Sequence, residues 1–257
     1  MSRPAPPALT GTCGLLVLLL AGCAAQAPSR PATPTTQAAV APAGLTTSSG
    51  RPVASAPTAR AAPDGLGPGL LARIPDRTRQ LVVVTGEGPD SSQSSVVLWQ
   101  RDATGLWNPG QTWPAHNGRN GWTEQHREGD LRSPEGVFTL SDAGGRLPDP
   151  RPDGGLPYHR SDAFSIGGTG FLGEPLAGSF DYVVAIDFNR KRGRSPLDPA
   201  RPEGTERGGG IWLHVDHGGP THACITVATE HMAQLIRELN PDAHPAVAMG
   251  TTAFLAK

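Results

Sequence analysis

The sequence predicts a mainly β domain with one C-terminal helix, set behind a leader and a tether. Three observations predict it. The 257 residues include 33 glycines and 27 prolines, nearly twice the usual combined share of about 12%, which favours turns over long helices. Six short runs rich in Val, Ile and aromatic residues are bounded by Gly, Pro, Asn or Asp, the punctuation of strands. Only one segment carries its apolar residues at helical spacing. With 22 basic and 23 acidic residues the formal charge is −1, so no basic face invites nucleic acid as a partner.

Residues 1–22 predict a signal peptide. Arg3 is the only early charge, and Leu15–Ala21 is an apolar run far short of the ~20 residues that cross a membrane. It closes on Leu20-Ala21-Gly22-Cys23. Small residues just ahead of a cysteine resemble the lipobox of bacterial lipoproteins. That resemblance implies cleavage before Cys23, lipidation of Cys23, and a membrane anchor on the extracytoplasmic face with the protein acting in the cell wall. Two or more acyl chains hold stably where one is marginal.

Residues 23–66 predict a disordered tether. From 24 to 66 there are 13 Ala, 7 Pro and 10 Ser or Thr, with no aromatic residue. Such a stretch buries too little apolar surface to offset its ordering entropy. A flexible chain of that length spans about 35 Å, which suits a tether from a membrane into a wall.

The folded domain is expected over 67–257, ample for one core. Its strands are Gln80–Thr85, Ser94–Arg101, Gly136–Leu140, Tyr182–Phe188, Gly210–Val215 and Ala246–Thr251. The helix runs Glu230–Leu239, because Met232, Leu235, Ile236 and Leu239 recur at i, i+3, i+4 and i+7. Thr229 is its expected N-cap, and Asn240-Pro241 ends it. Trp99, Trp107, Trp113, Trp122, Trp212 and Tyr158 read as core rather than as a sugar-binding groove.

The chemistry concentrates in His214, Asp216, His217, His222 and Cys224. Cys13 leaves with the signal peptide and Cys23 is lipidated, so Cys224 is the one thiol left to the mature chain. A thiol needs to become a thiolate to attack, and a neighbouring imidazole is expected to bring it into range. Gly218, Gly219 and Pro220 let the loop turn back, so that His214 at a strand end can meet Cys224. Alternation puts Ile211, Leu213 and Val215 on one face and Trp212 and His214 on the other.

Thr221-His222-Ala223-Cys224 resembles the S/T-H-G-C signature of L,D-transpeptidases, the cysteine enzymes that remodel peptidoglycan. The strand Ile211–Val215 is similar to the one that carries the family's first histidine. Gly118–Gly121 with Glu128–Phe138, and Asp181 through Arg190, resemble upstream elements of the family in the same order. The resemblance covers roughly residues 80–250. It implies a β-sandwich-like fold and no cofactor or metal. It also implies acyl transfer on peptidoglycan stem peptides through a thioester on Cys224.

His214 matches the family's base, and His222 is the competing histidine. The backbone N–H groups of Ala223 and Cys224 would form the oxyanion hole, and Thr221, Trp212 and Arg190 are candidates for binding substrate. Two departures stand out: Ala223 replaces a glycine, and His214 lies unusually close to Cys224. Two alternatives follow from the same residues. One is a non-catalytic wall-binding lipoprotein with a degenerate transpeptidase fold. The other is a zinc peptidase using His214, His217, His222 and Cys224, whose spacing matches no common zinc pattern.

Overall fold

The computed structural model describes residues 58–151 and 153–257; the expected signal peptide, Cys23 and most of the expected tether lie outside them. The helices are α1 (Pro68–Leu71), α2 (Thr229–Glu238) and α3 (Thr252–Leu255). The strands are β1 (Gln80–Gly86), β2 (Gln93–Arg101), β3 (Trp107–His116), β4 (Trp122–Thr123), β5 (Ser133–Pro134), β6 (Gly136–Gly145), β7 (Tyr158–Arg160), β8 (Val183–Ile186), β9 (Trp212–Val215), β10 (Ile225–Val227) and β11 (Ala246–Thr251).

Nine of the strands form one sheet in the order β11-β1-β2-β3-β10-β9-β8-β6-β7, and a further β6–β11 pairing closes it into a barrel. The domain is mainly β as expected, and β4 and β5 form a separate two-stranded sheet. Closure is thin at one point, where β3 meets β10 through the His116–Thr226 pair alone. That explains why Pro109 and Pro114 survive inside β3, since proline is tolerated where a strand edge goes unpaired. They also hid β3 from the sequence.

Alternation sorts the core into two clusters. Val82 and Val84 of β1 point into the main cluster, together with Leu213, Val215, Ile225 and Val227. Leu81 and Val83 point the other way, under Leu70 of α1 and Phe254 and Leu255 of α3. Helix α2 contributes Met232, Leu235 and Ile236 to the main cluster, the face its periodicity predicted. Its N-cap is Ala228 rather than Thr229, and no side chain caps it. Two helices rather than one follow β10, because Thr251 caps a further single turn through a bond from the Phe254 N–H.

The composition boundary at 66 also shifts. Arg60 exchanges two backbone hydrogen bonds with Trp107, and Leu66 packs on the second cluster, so packing begins inside the expected tether. Trp99, Trp107, Trp113 and Trp122 are all buried, as core residues.

Candidate active site

Strands β9 and β10 run parallel, with Leu213 opposite Ile225 and His214 opposite Thr226. Residues Ile211, Leu213, Val215, Ile225 and Val227 enter the main cluster. The alternate residues Trp212, His214, Cys224 and Thr226 therefore share the opposite face. A glycine-rich segment, residues 161–180, crosses that face and roofs a cavity of about 380 Å³. Phe171, Leu176 and Phe180 line it from above, and His214, His217, Thr221, His222 and Cys224 from the strand side.

His214 is buried, and its Nδ1 lies 3.0 Å from the carbonyl oxygen of Val215. A carbonyl only accepts, so Nδ1 carries the proton and Nε2 is a bare acceptor. The edge of Phe180 packs on the ring at 5.2 Å. Burial pulls the imidazole down to about 4, against the opposing bond to Val215, so it is neutral at pH 7.

The Cys224 sulfur accepts from the Trp212 N–H at 3.4 Å, and its own hydrogen points to the Gly210 carbonyl, 3.6 Å away. Burial pushes this thiol up to about 11. The resting pair is thus a thiol and a neutral imidazole, which corrects the expectation that His214 ionises the cysteine. Both border one cavity, but among the described residues no hydrogen bond joins them.

The loop that presents Cys224 is fixed from three sides. Thr221 donates its hydroxyl to the Cys224 carbonyl at 2.7 Å, and Ser133 donates to the Ala223 carbonyl at 2.7 Å. The Thr221 N–H bonds Asn117, and the Thr221 carbonyl accepts from Arg119. Thr221 is therefore a staple of the loop. The two upstream motifs act at the same place: a Cβ on Gly118 would stand 2.7 Å from the Leu131 carbonyl oxygen, so glycine permits the close approach. Ala223 carries no strain, since Leu131, Asn189 and His244 are the only non-glycine residues with positive φ among those described. The N–H groups of Ala223 and Cys224 have no backbone acceptor among the described residues.

The remaining predicted residues fall elsewhere. His222 is exposed, its ring 4.9 Å from that of Phe171. Trp212 packs between Phe164 and Phe180, at 6.0 and 5.1 Å, and only its N–H reaches the sulfur. Arg190 is not at the cavity. It is buried between Asp142 at 2.9 Å and Asp187 at 2.6 Å, and it also donates to Ser141 and the Arg194 carbonyl. With its donors committed, it is a core ion-pair residue here. Asp216 accepts from His116 at 2.8 Å and from Thr226 at 2.5 Å. Burial alone would raise its carboxyl, but those bonds hold it at about 2.

Two features escape the sequence reading. His217 donates Nδ1–H to Glu174 at 3.1 Å, with both side chains nearly buried, and it stacks on His214 with ring centroids 6.0 Å apart. Arg119 lies over the Phe171 ring at 4.8 Å, an exposed cation at the cavity rim. Among the described residues no three His, Cys, Asp or Glu side chains are grouped as metal ligands, so the four residues of the zinc alternative are not assembled.

Neither a protein-family model nor a curated protein matches the sequence. Two solved structures resemble it at a distance. The helical cell shape determining protein Pgp2 from Campylobacter jejuni is 16% identical over 71% of this chain and 54% of that one, with a TM-score of 0.36. A lysine-to-alanine mutant of Pgp2 is 15% identical over 76% of this chain and 62% of that one, with a TM-score of 0.37. The chain thus spans less than two thirds of the length of either.

Proposed function

We propose that the protein is a cysteine acyltransferase acting on peptidoglycan stem peptides, an L,D-transpeptidase held at the extracytoplasmic face by a lipid on Cys23. One observation carries the reading. Cys224, the one free cysteine among the described residues, borders the same cavity as a buried neutral histidine whose tautomer is fixed by Val215.

The chemistry suits a thiol activated only as it attacks. Sγ of Cys224 bonds to the carbonyl carbon between the diamino acid and D-alanine while its proton passes to His214 Nε2. The N–H groups of Ala223 and Cys224 receive the oxyanion. The C–N bond then breaks, and the imidazolium returns its proton to the departing D-alanine amine. A low basicity in His214 favours that second transfer. The thioester left on Cys224 is resolved by the amine of a second stem or by water. Thr221 acts here through the loop, and Phe171, His222 and Arg119 face the substrate at the rim.

Intact mass after incubation with a tetrapeptide stem tests this. The expected result is an acyl adduct on wild type, release of D-alanine, and neither in Cys224→Ala. No adduct with either the stem or a carbapenem would instead make the site a binder of wall peptides. Anchoring is tested apart: Cys23→Ala should leave the membrane fraction, and a wild type already found in the soluble fraction would refute the lipid anchor.

A further inference from the structure

The cavity holds a second imidazole that the scheme above leaves unused. His217 and Glu174 have side chains only 6% and 11% exposed, yet His217 lines the cavity. The carboxylate is seated with care. Its Oε1 accepts from His217 Nδ1 at 3.1 Å, and its Oε2 accepts from the Leu172 N–H at 2.7 Å.

Two glycines make the space. A Cβ at Gly170 would stand 1.9 Å from Glu174 Oε1, and one at Gly219 would stand 2.2 Å from it. Neither glycine has a positive φ, so it is room, not backbone freedom, that they supply. One lies in the roofing segment and the other in the loop between β9 and Cys224.

An imidazole that gives Nδ1–H to a carboxylate presents a bare Nε2, and the carboxylate stabilises the charge when Nε2 takes a proton. The His217 ring lies within 17° of parallel to His214, centroids 6.0 Å apart, and both line the cavity that Cys224 borders. Their partners differ. His214 has a carbonyl, which orients without stabilising a full charge, whereas His217 has an acid. A weakly basic group suits protonation of a leaving amine, and a carboxylate-backed one suits proton removal from an incoming nucleophile.

The geometry points to His217, oriented by Glu174, as the base that deprotonates the acceptor when the Cys224 thioester is resolved; this rests on the acyl-transfer reading. The acceptor N–H or O–H proton goes to His217 Nε2 as its nitrogen or oxygen bonds to the thioester carbon. The C–S bond breaks, and the proton on His217 passes to the departing Cys224 thiolate, which restores thiol and neutral imidazole. Glu174 is a positioning residue and touches no reacting atom.

The test is rapid-quench intact mass with a tetrapeptide stem on wild type, His217→Gln and Glu174→Gln. Both variants should acylate at close to the wild-type rate, which also shows that they fold. The thioester should then accumulate, because resolution slows by roughly 10²–10⁴-fold in His217→Gln and by less in Glu174→Gln. Free imidazole should speed resolution in His217→Gly. Resolution at the wild-type rate in His217→Gln overturns the assignment, as does loss of acylation in parallel with resolution. A wild type that never forms the thioester overturns the acyl-transfer reading as well.

Discussion

Ionisation of Cys224 is the sharpest quantity to measure, because the proposed chemistry depends on a thiol that stays protonated until substrate arrives. Burial pushes it up to about 11, so about one molecule in 10⁴ is thiolate at pH 7, against about 3% for an ordinary cysteine near 8.5. That difference alone slows alkylation about 300-fold. The more basic thiolate is the better nucleophile, with a Brønsted slope of about 0.4–0.5, which recovers roughly tenfold and leaves a deficit of roughly 20–30-fold. The assay is the rate of iodoacetamide modification of Cys224 from pH 6 to 11, read by intact mass beside free cysteine. The rate should climb about tenfold per pH unit to near pH 10 without a plateau. His214→Asn should leave that profile in place, since burial and not His214 sets it, while lowering stem acylation by roughly 10²–10⁴-fold. In the wild type, acylation should persist through neutral pH and fall as pH drops through about 4, where His214 becomes protonated. A plateau below pH 8, or a midpoint that moves in His214→Asn, would show a thiolate–imidazolium pair at rest and refute the reasoning.

Three further outcomes follow from side-chain placement. Arg190→Ala removes the cation between two carboxylates whose side chains are 0% and 1% exposed, leaving them hydroxyl partners at Ser141 and Thr139, so it should cost about 3 kcal/mol of stability. Urea unfolding with unchanged acylation by the folded fraction would support that, and an unchanged midpoint would contradict it. Gly219→Ala forces the Glu174 carboxylate off its seat, so it should slow thioester resolution as Glu174→Gln does; rapid quench decides, and wild-type resolution would count against the packing reason. His222→Asn should reduce turnover far less than His214→Asn, because His222 is exposed against Phe171. Steady-state turnover of the two variants separates them, and an equal loss would make His222 part of the chemistry.

Much of this site is legible from local pattern. Alternation over Ile211–Val215 places Trp212 and His214 together on the face away from the core, and the Gly218–Pro220 turn brings Cys224 onto the neighbouring strand; the structure keeps both. The period of α2 names the residues it buries. Strands β7 and β10 are three residues each, too short for any period to register. Strand β3 is masked by its prolines, whose cost depends on what lies on the far edge, a tertiary fact. Glu174 sits 43 residues from His217 in a glycine-rich stretch without periodicity, so nothing local announces that the stretch roofs the cavity. Arg190 reads as one of a basic run with Lys191, Arg192 and Arg194, and only the folding of β6 beside β8 brings Asp142 to it.

What spacing supplies is proximity, and what it omits is ionisation. A histidine ten positions before a cysteine invites the picture of an ion pair, since a charged imidazole in water would favour the thiolate. The same packing that brings the two residues to one cavity also withdraws both from bulk water, His214 almost wholly and Cys224 in part. Desolvation disfavours each charged form, raising the thiol and lowering the imidazole, and it acts on both members of the pair at once. With Cys224 at about 11 and His214 at about 4, separation of charge at rest is strongly uphill. In the proposed attack on a carbonyl that barrier is removed in part, because the charge would move from sulfur to an oxygen facing the Ala223 and Cys224 N–H groups. On the proposed reading, burial therefore slows the thiol toward small electrophiles, and its proton transfer waits for a substrate that fills the space under Phe171 and Phe180.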